Sequence, residues 1–309
     1  MKVKVQITVI LTILFMILAS TFAYMYKDYI YLFYRDHILK VEETKISKNE
    51  YFKEKDYNFV QNVDNFVVKS RQEMINAIYT IINSGVEEFT FYCDKDYFTC
   101  LNDFKEIRED RVLISDINNF VHPYNSFKEI NTSYDNYGNL TIDVVKKYSD
   151  KDIKLINNKV EEIISKEVND DMSEKEKIKA IHNVIINNSK YATDKIQSER
   201  NDIDFSLANG VLIHGLGICN SYADAMAIFL EKMGIDNYKI ASDVHVWNLV
   251  NINNNWLHLD LTWDDPVLSD NSDKLQFIFF LINDNRLKKL NVDMHDYDSR
   301  VYSEAKNKK

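Results

Sequence analysis

The sequence of 309 residues is poor in glycine and proline, with only six and two of them. This scarcity excludes Pro/Gly-rich linkers as markers of domain boundaries, which other signals must supply. No block of lysine and arginine stands out and the net charge is −10, which excludes the basic patch typical of a nucleic-acid-binding protein. The chain is 45% hydrophobic and 13% aromatic, so it can form packed cores.

The N-terminus carries the one long hydrophobic run. Lys2 and Lys4 precede an apolar stretch from about Ile7 to Tyr26, and about 20 residues suffice to span a bilayer. The positive flank predicts the N-terminus inside and the bulk of the chain outside the cell. A single-pass signal anchor is the favoured interpretation. The alternative is secretion after signal cleavage, which the A-x-A-like sequence Thr21-Phe22-Ala23 would permit.

Cysteine is also scarce, with Cys93, Cys100 and Cys219 only. No Cys/His set has the short paired spacing of a structural zinc site, so neither metal ligands nor a cofactor site are predicted. Cys93 and Cys100 are close enough in sequence to form a disulfide, but two free thiols are an equally good interpretation. Cys219 is the odd cysteine of an exported chain and therefore a candidate reactive thiol.

Periodicity predicts an α+β protein in four parts. These are a signal anchor or transmembrane segment (1–26), a juxtamembrane stalk (27–50), a small accessory α+β domain (51–148) and a catalytic domain (149–309). In the accessory part the pattern predicts a helix over 71–82 and strands over 87–93, 127–133 and 139–147. A helix is predicted over 150–168, and Ser173 with Glu176 forms a capping box that starts another, ending near Asn188.

The chemistry is concentrated between Asn209 and Pro266. Apolar residues at helical spacing follow Cys219, and Gly234 is a natural helix stop. Cys219 therefore lies at a helix start, where free N–H groups and the helix dipole favour a thiolate and could receive an oxyanion. For a lone cysteine, a buried structural role would still be the better interpretation.

Two strands with a turn at Asn253-Asn254 follow the cysteine helix. A two-residue turn sets Ile252 opposite Asn255, and the same register pairs Trp247 with Asp260 and His245 with Thr262. His245 and Asp260 would then be diagonal neighbours on one face of the hairpin.

Cys219, His245 and Asp260 are the residue types that acyl transfer requires. The imidazole takes the proton of the thiol and returns it to the leaving group. The carboxylate fixes the ring tautomer and stabilises the imidazolium. We therefore expect a catalytic triad of Cys219 as nucleophile, His245 as base and Asp260 as orienting carboxylate.

The stretches GICNSYADAMAIFLEKMGI and HVWNLVNINNNWLHLDLTWDDP resemble the bacterial transglutaminase-like superfamily, a branch of papain-like folds. The resemblance covers about 173–266, and more weakly the tail to His295. It implies a papain-like catalytic domain, the same three site residues, and structural roles at the four positions Trp247, Asn248, Trp263 and Asp264. Ser221 stands where many members have glycine, and could narrow the cleft or donate a hydrogen bond.

The expected function is cysteine-dependent acyl transfer on amide bonds of proteins or peptides, including cell-wall peptides, outside the cell. Water as acceptor would make the protein a peptidase or amidase, and an amine would make it a transamidase. A catalytically inactive binding or scaffold module is the alternative, and an envelope assembly factor a weaker one. Among other histidines, His258 is a minor rival for the base, His182 a packed or surface residue, and His214 a residue of the cleft wall.

Overall fold

The computed structural model describes residues 2–41, 44–200, 202–265 and 276–306, with the backbone alone for residues 2–6. Pro266, the last residue of the motif run, lies outside them. The helices are α1 (Lys2–Met25), α2 (Lys27–His37), α3 (Arg71–Ser84), α4 (Cys100–Glu109), α5 (Arg111–Asn119), α6 (Asp150–Glu167), α7 (Glu174–Asn188), α8 (Asp194–Glu199), α9 (Cys219–Lys232), α10 (Leu261–Asp264) and α11 (Asp284–Leu290). The strands are β1 (Val67–Val68), β2 (Glu88–Cys93), β3 (Phe127–Tyr134), β4 (Asn139–Lys146), β5 (Lys190–Tyr191), β6 (Leu216–Gly217), β7 (Asn237–Ala241), β8 (Val246–Ile252) and β9 (Asn255–Leu259).

The N-terminal helix α1 is apolar enough to cross a membrane over Ile7–Met25, with a mean hydropathy of 2.2, and none of that segment is buried against the protein. The segment predicted as a stalk begins with α2, which is docked on the protein. Arg35 is buried and donates a hydrogen bond to the carbonyl of Tyr137 at 3.0 Å. The ring of Tyr31 lies 4.3 Å from that of Tyr137. The first part of the stalk is therefore held in place.

The first sheet has the strand order β1-β2-β4-β3, with β1 parallel to β2 and the other pairs antiparallel. Helices α3, α4 and α5 contribute to the core that covers it. Its strands lie close to the predicted ranges. Cys93 at the end of β2 and Cys100 at the start of α4 form a disulfide, which resolves the alternatives that the sequence leaves open.

The second sheet is antiparallel with the order β7-β8-β9. Asn253 and Asn254 have φ of 50° and 62°, the left-handed conformation of a two-residue turn, and Ile252 pairs with Asn255 as predicted. The predicted pairs of Trp247 with Asp260 and of His245 with Thr262 are wrong, because β9 ends at Leu259.

The strand ends there because the Asp260 side chain caps the next helix. One carboxylate oxygen, Oδ1, accepts the backbone N–H groups of Thr262 at 2.9 Å and Trp263 at 3.2 Å. A side chain that satisfies two free N–H groups is a strong helix start. The chain therefore turns into α10 instead of extending the ladder.

The second sheet lies between two hydrophobic cores. One face carries Tyr238 and Ile240 of β7 with Trp247 and Leu249 of β8, and it packs against the core that also covers the first sheet. The other face packs with α6, α7 and α9 in a second core. The alternation along β7 and β8 follows from the period of two in a strand.

A buried charge cluster attaches α9 to its surroundings. Asp224 is fully buried on α9, and its carboxylate accepts hydrogen bonds of 2.7 Å from Lys239 of β7, from Lys147 and from the hydroxyl of Tyr148. Burial opposes the charge of Asp224, but the two ammonium groups outweigh burial and hold its pKa well below the usual range. The cluster therefore fixes α9 against both β7 and the end of the first sheet.

The first core contains side chains from both sides of the predicted domain boundary between residues 148 and 149. Tyr302 near the C-terminus is fully buried, donates to the carboxylate of Asp116 at 2.6 Å and accepts from Asn119 at 2.7 Å. The domain boundary at this point stays a prediction, and the packing crosses it.

Candidate active site

Cys219 is the first residue of α9 and is half-buried. The residue before it, Ile218, provides no side-chain cap, and none of the described hydrogen bonds engages the backbone N–H groups of Cys219 and Asn220. Free N–H groups and the positive end of the helix dipole therefore lie at the residue that carries the sulfur. Both favour a negative charge at this position.

Close packing of the preceding loop places the cysteine. An added Cβ on Gly217 would lie 2.6 Å from Ser221 and 2.7 Å from Val211, so a side chain at residue 217 would push the loop off the helix. Ser221 is fully buried, donates to the carbonyl of Leu207 at 2.6 Å and accepts from Val211 N–H at 3.1 Å. Its hydroxyl therefore holds the loop and does not narrow a cleft.

His245 lies at the entry of β8, where both of its ring nitrogens have a defined neighbour. Nε2 is 2.6 Å from Oδ2 of Asp260, and because a carboxylate only accepts, Nε2 carries the hydrogen. Cys219 lies close enough to the ring to raise the pKa of His245, and Nδ1 is the ring nitrogen left to face the thiol. The three residues thus lie side by side, and a hydrogen bond joins His245 to Asp260.

The electrostatics of His245 favour the charged ring. Burial lowers its pKa, but the hydrogen bond to Asp260 and the interaction with the nearby Cys219 outweigh burial and raise the pKa to about 9. An imidazolium beside the sulfur stabilises a thiolate. The ring also stacks on Trp247 at 5.6 Å, which limits its rotation.

Asp260 is buried and accepts four hydrogen bonds. Besides the two backbone N–H groups on Oδ1, its Oδ2 accepts from His245 and from Nε2 of His295, the latter at 2.8 Å. Burial raises the pKa of Asp260, but the two histidines outweigh burial and lower it to about 2. The carboxylate is therefore ionised and fixed in orientation at neutral pH.

His245, Asp260 and His295 could in principle hold a metal ion, because their ligand atoms converge within 4.8 Å. Two ligands of a tetrahedral zinc ion with bonds of 2.0–2.1 Å lie about 3.3 Å apart. The Nε2–Oδ2 separations of 2.6 and 2.8 Å are shorter and are those of hydrogen bonds. The arrangement fits a hydrogen-bonded cluster better than a ligand set.

The other three histidines considered from the sequence lie in different surroundings. Nδ1 of His258 accepts from the indole of Trp247 at 3.0 Å, and burial lowers the pKa of His258 to about 3, so it cannot serve as an alternative base near neutral pH. His182 is fully buried and bonds Asp264 at 3.2 Å. His214 is exposed at the end of a π-helical turn over Gly210–His214.

Three of the residues given structural roles by the resemblance have partners in the interior. Trp247 donates to His258, Asn248 donates to the carbonyl of Ala223 at 3.0 Å, and Asp264 accepts the N–H of Phe279 at 3.0 Å. Asp264 is the last residue of α10, and its carboxylate is bound in the interior. Asp265 instead accepts the hydroxyl of Tyr222 at 2.6 Å.

His295 is the residue of the cluster that the sequence does not identify. It follows Asp260 by 35 residues and lies in a 3-10 turn, Asp293–His295. No motif surrounds it. The only available signal is its position at the end of the region of weak resemblance.

Comparison with known proteins gives a family match and similar solved structures. Residues 161–261 match the family model of the transglutaminase-like superfamily, so the resemblance is confirmed and this stretch is a transglutaminase-like domain within an α+β fold. The match includes Cys219, His245 and Asp260. No curated protein matches the chain.

Two solved structures are similar to parts of the chain. One is a TGase, 14% identical with a TM-score of 0.33, covering 49% of this chain and 47% of its own. The other is a protein from Cytophaga hutchinsonii proposed to be a cysteine protease, 14% identical with a TM-score of 0.27, covering 43% of this chain and 61% of its own. Because the alignments span only these parts, the functional argument rests on the site itself.

Proposed function

We propose that the protein is a cysteine-dependent acyl-transfer enzyme that acts on amide bonds of proteins or peptides outside the cell. The observation that carries the proposal is the hydrogen bond between His245 and Asp260, next to Cys219 at the uncapped start of α9. The family match supports a cysteine-based enzyme. Roles for the three residues follow from their contacts.

In the first half-reaction the Cys219 sulfur attacks the carbonyl carbon of an amide. The thiol proton passes to Nδ1 of His245, and Asp260 stabilises the resulting imidazolium through Nε2. The free N–H groups of Cys219 and Asn220 are placed to receive the oxyanion. His245 then protonates the amine nitrogen as the C–N bond breaks, leaving a thioester on Cys219.

In the second half-reaction water or an amine attacks the thioester. His245 takes a proton from the attacking group, and the C–S bond breaks, after which the proton returns to the sulfur. Water gives a peptidase or amidase, and an amine gives a transamidase. Neither half-reaction requires a metal or a cofactor.

The apolar helix α1 supports a location at the cell surface. We infer that it anchors the chain in the membrane with the bulk outside, with signal cleavage as the alternative. The disulfide between Cys93 and Cys100 suits an oxidising compartment. Surface proteins and cell-wall peptides are the amides within reach there.

Thiol alkylation tests the proposal directly, because Cys219 is the only cysteine outside the disulfide. The full chain in detergent is treated with iodoacetamide between pH 5 and 10, with Cys219→Ser to measure background and His245→Phe to remove the base. We expect rapid alkylation of the wild type at pH 6.5. His245→Phe should react about 100-fold more slowly there, since an ordinary thiol with a pKa near 8.5 is only about 1% ionised at that pH.

Equal and slow rates in the wild type and His245→Phe would contradict the proposal and favour a binding or scaffold module instead. If the pair is active, two probes separate the acceptors. Incorporation of a dansylated primary amine into a protein substrate indicates transamidation. Release of a fluorophore from peptide amides without an added amine indicates hydrolysis.

A further inference from the structure

Asp260 is shared by two histidines, and only one of them faces the cysteine. Nε2 of His295 lies 2.8 Å from the same oxygen, Oδ2, that accepts from His245. Because that oxygen accepts only, His295 must place its hydrogen on Nε2. The shared oxygen therefore receives two N–H donors, and the other oxygen receives two backbone N–H groups.

The surroundings of His295 show that packing alone does not explain a histidine there. Its ring stacks on Phe279 at 4.8 Å with an angle of 13° and meets Trp247 edge-on at 4.8 Å. A phenylalanine could form the same contacts. A histidine instead leaves Nδ1 buried with no hydrogen-bond partner among the described residues, which is unfavourable. The donor on Nε2 is what distinguishes it from an apolar ring.

We propose that His295 is a positioning residue for the reaction, which holds the Asp260 carboxylate in the plane and distance that His245 requires. This inference rests on the proposed function. Without His295, only His245 holds Oδ2, so the carboxylate can turn about the two backbone bonds that fix Oδ1. The tautomer and the direction of the His245 ring then become less well defined, and proton transfer from Cys219 becomes less favourable.

Three titratable groups lie against or near the His295 ring, and four charged residues line the same cavity, namely Lys288, Asp293, Asp296 and Lys306. His245 meets its ring edge-on at 5.3 Å, Asp260 accepts its hydrogen bond, and His258 lies near enough to interact electrostatically. The other described side chains in ring contact with His295 are the aromatic groups Trp247, Trp263 and Phe279. A substitution at residue 295 therefore acts on the triad chiefly through Asp260.

Three substitutions at residue 295 separate the effect of the N–H donor from the effect of the aromatic ring. His295→Phe keeps the ring and removes the donor. His295→Gln carries an amide N–H₂ near the position of Nε2, and His295→Asn carries one near the position of Nδ1, where it cannot reach Asp260. The measurement is the pH profile of Cys219 alkylation in the full chain, with the thermal unfolding midpoint of each variant recorded alongside.

We expect His295→Phe and His295→Asn to move the acidic inflection of the profile to higher pH by roughly half a unit, as one charge-assisted hydrogen bond is lost. His295→Gln should return it to the wild-type value. A structural role would lower the amount of folded, reactive protein and leave the inflection in place. An unshifted inflection in both donor-less variants overturns the inference.

The outcomes also separate the inference from the proposed function. A wild type that alkylates rapidly at pH 6.5, together with unshifted variants, removes the role of His295 and leaves the proposed function intact. A wild type with the profile of an ordinary thiol contradicts both. If His295→Phe fails to fold, the comparison of His295→Gln with His295→Asn decides the question by itself.

Discussion

Two buried aspartates in this protein have the same number of basic partners and different surroundings. Asp224 is held by two lysines and a tyrosine, and Asp260 by two histidines and two backbone N–H groups. Both carboxylates have a lowered pKa. The difference is in what the partners can do at neutral pH.

The two lysines and the tyrosine bind one carboxylate from three segments, so the Asp224 cluster is a fixed link between α9 and its neighbours. A histidine can carry a proton to and from a neighbouring group, and the Asp260 cluster lies next to the free thiol of Cys219. In the proposed mechanism, a buried aspartate therefore supports structure at residue 224 and proton transfer at residue 260. The residue type of its partners determines the difference.

The largest effect is expected from substituting Asp224, the aspartate with the structural role. Asp224→Asn removes the charge that two buried or partly buried lysines share, and should lower the free energy of unfolding by about 4 kcal/mol. Urea unfolding of the full chain in detergent measures it. Glu161→Gln is the matched control, because it breaks an exposed ion pair to Lys232 at the end of the same helix and should cost less than about 0.5 kcal/mol. A loss as small as that of the control would show that the cluster does not stabilise the fold.

Asp260→Asn changes the other buried aspartate, and its effect should appear in the reactivity of Cys219. The amide has one accepting oxygen, so it cannot accept from both histidines and both backbone N–H groups. It also carries no charge to stabilise an imidazolium, so alkylation of Cys219 at pH 6.5 should fall by up to about 100-fold. The rate constant with iodoacetamide at that pH is the measurement, beside the unfolding curve. A folded variant that retains the wild-type rate would remove Asp260 from the proposed triad.

The third effect is a dependence of stability on pH. Because the pKa of His245 is raised from 6.5 to about 9 in the folded chain, its charge stabilises the fold fully below pH 6.5, and this contribution is lost as the pH rises through 9. We expect a decrease of about 3 kcal/mol between pH 6 and pH 9.5. His245→Phe should flatten that part of the curve, whereas Ser221→Ala should leave its slope unchanged. Parallel curves for the wild type and His245→Phe would contradict the raised pKa.

The comparison also explains what could be predicted from the sequence. Helices with capping boxes and strands of alternating pattern were recoverable, because their signals are local. The register at Asn253-Asn254 followed from the turn alone. The end of β9 did not, since it depends on the Asp260 side chain turning back to its own backbone. An aspartate in an alternating pattern does not indicate whether its side chain caps a helix or the strand continues.

The candidate site also contains residues that the sequence identifies and residues that it does not. Cys219, His245 and Asp260 were identified as candidates because motif, order and spacing agree. His295 and the Lys147–Asp224–Lys239 cluster were not identified, because their partners meet only after folding, at sequence separations of 35, 77 and 15 residues. Spacing within one sequence does not indicate which distant polar groups converge.

The burial of Tyr302 against Asp116 and Asn119 has a consequence for the order of folding. The core of the first sheet needs a side chain that is synthesised 186 residues after its partner Asp116, and closing a loop of that length precedes any gain from the contact. The preceding segment can form its local helices and hairpin early, but it cannot complete its core until Tyr302 has been translated. A chain stopped shortly before Tyr302 would therefore carry all three triad residues and still lack the last piece of its first core.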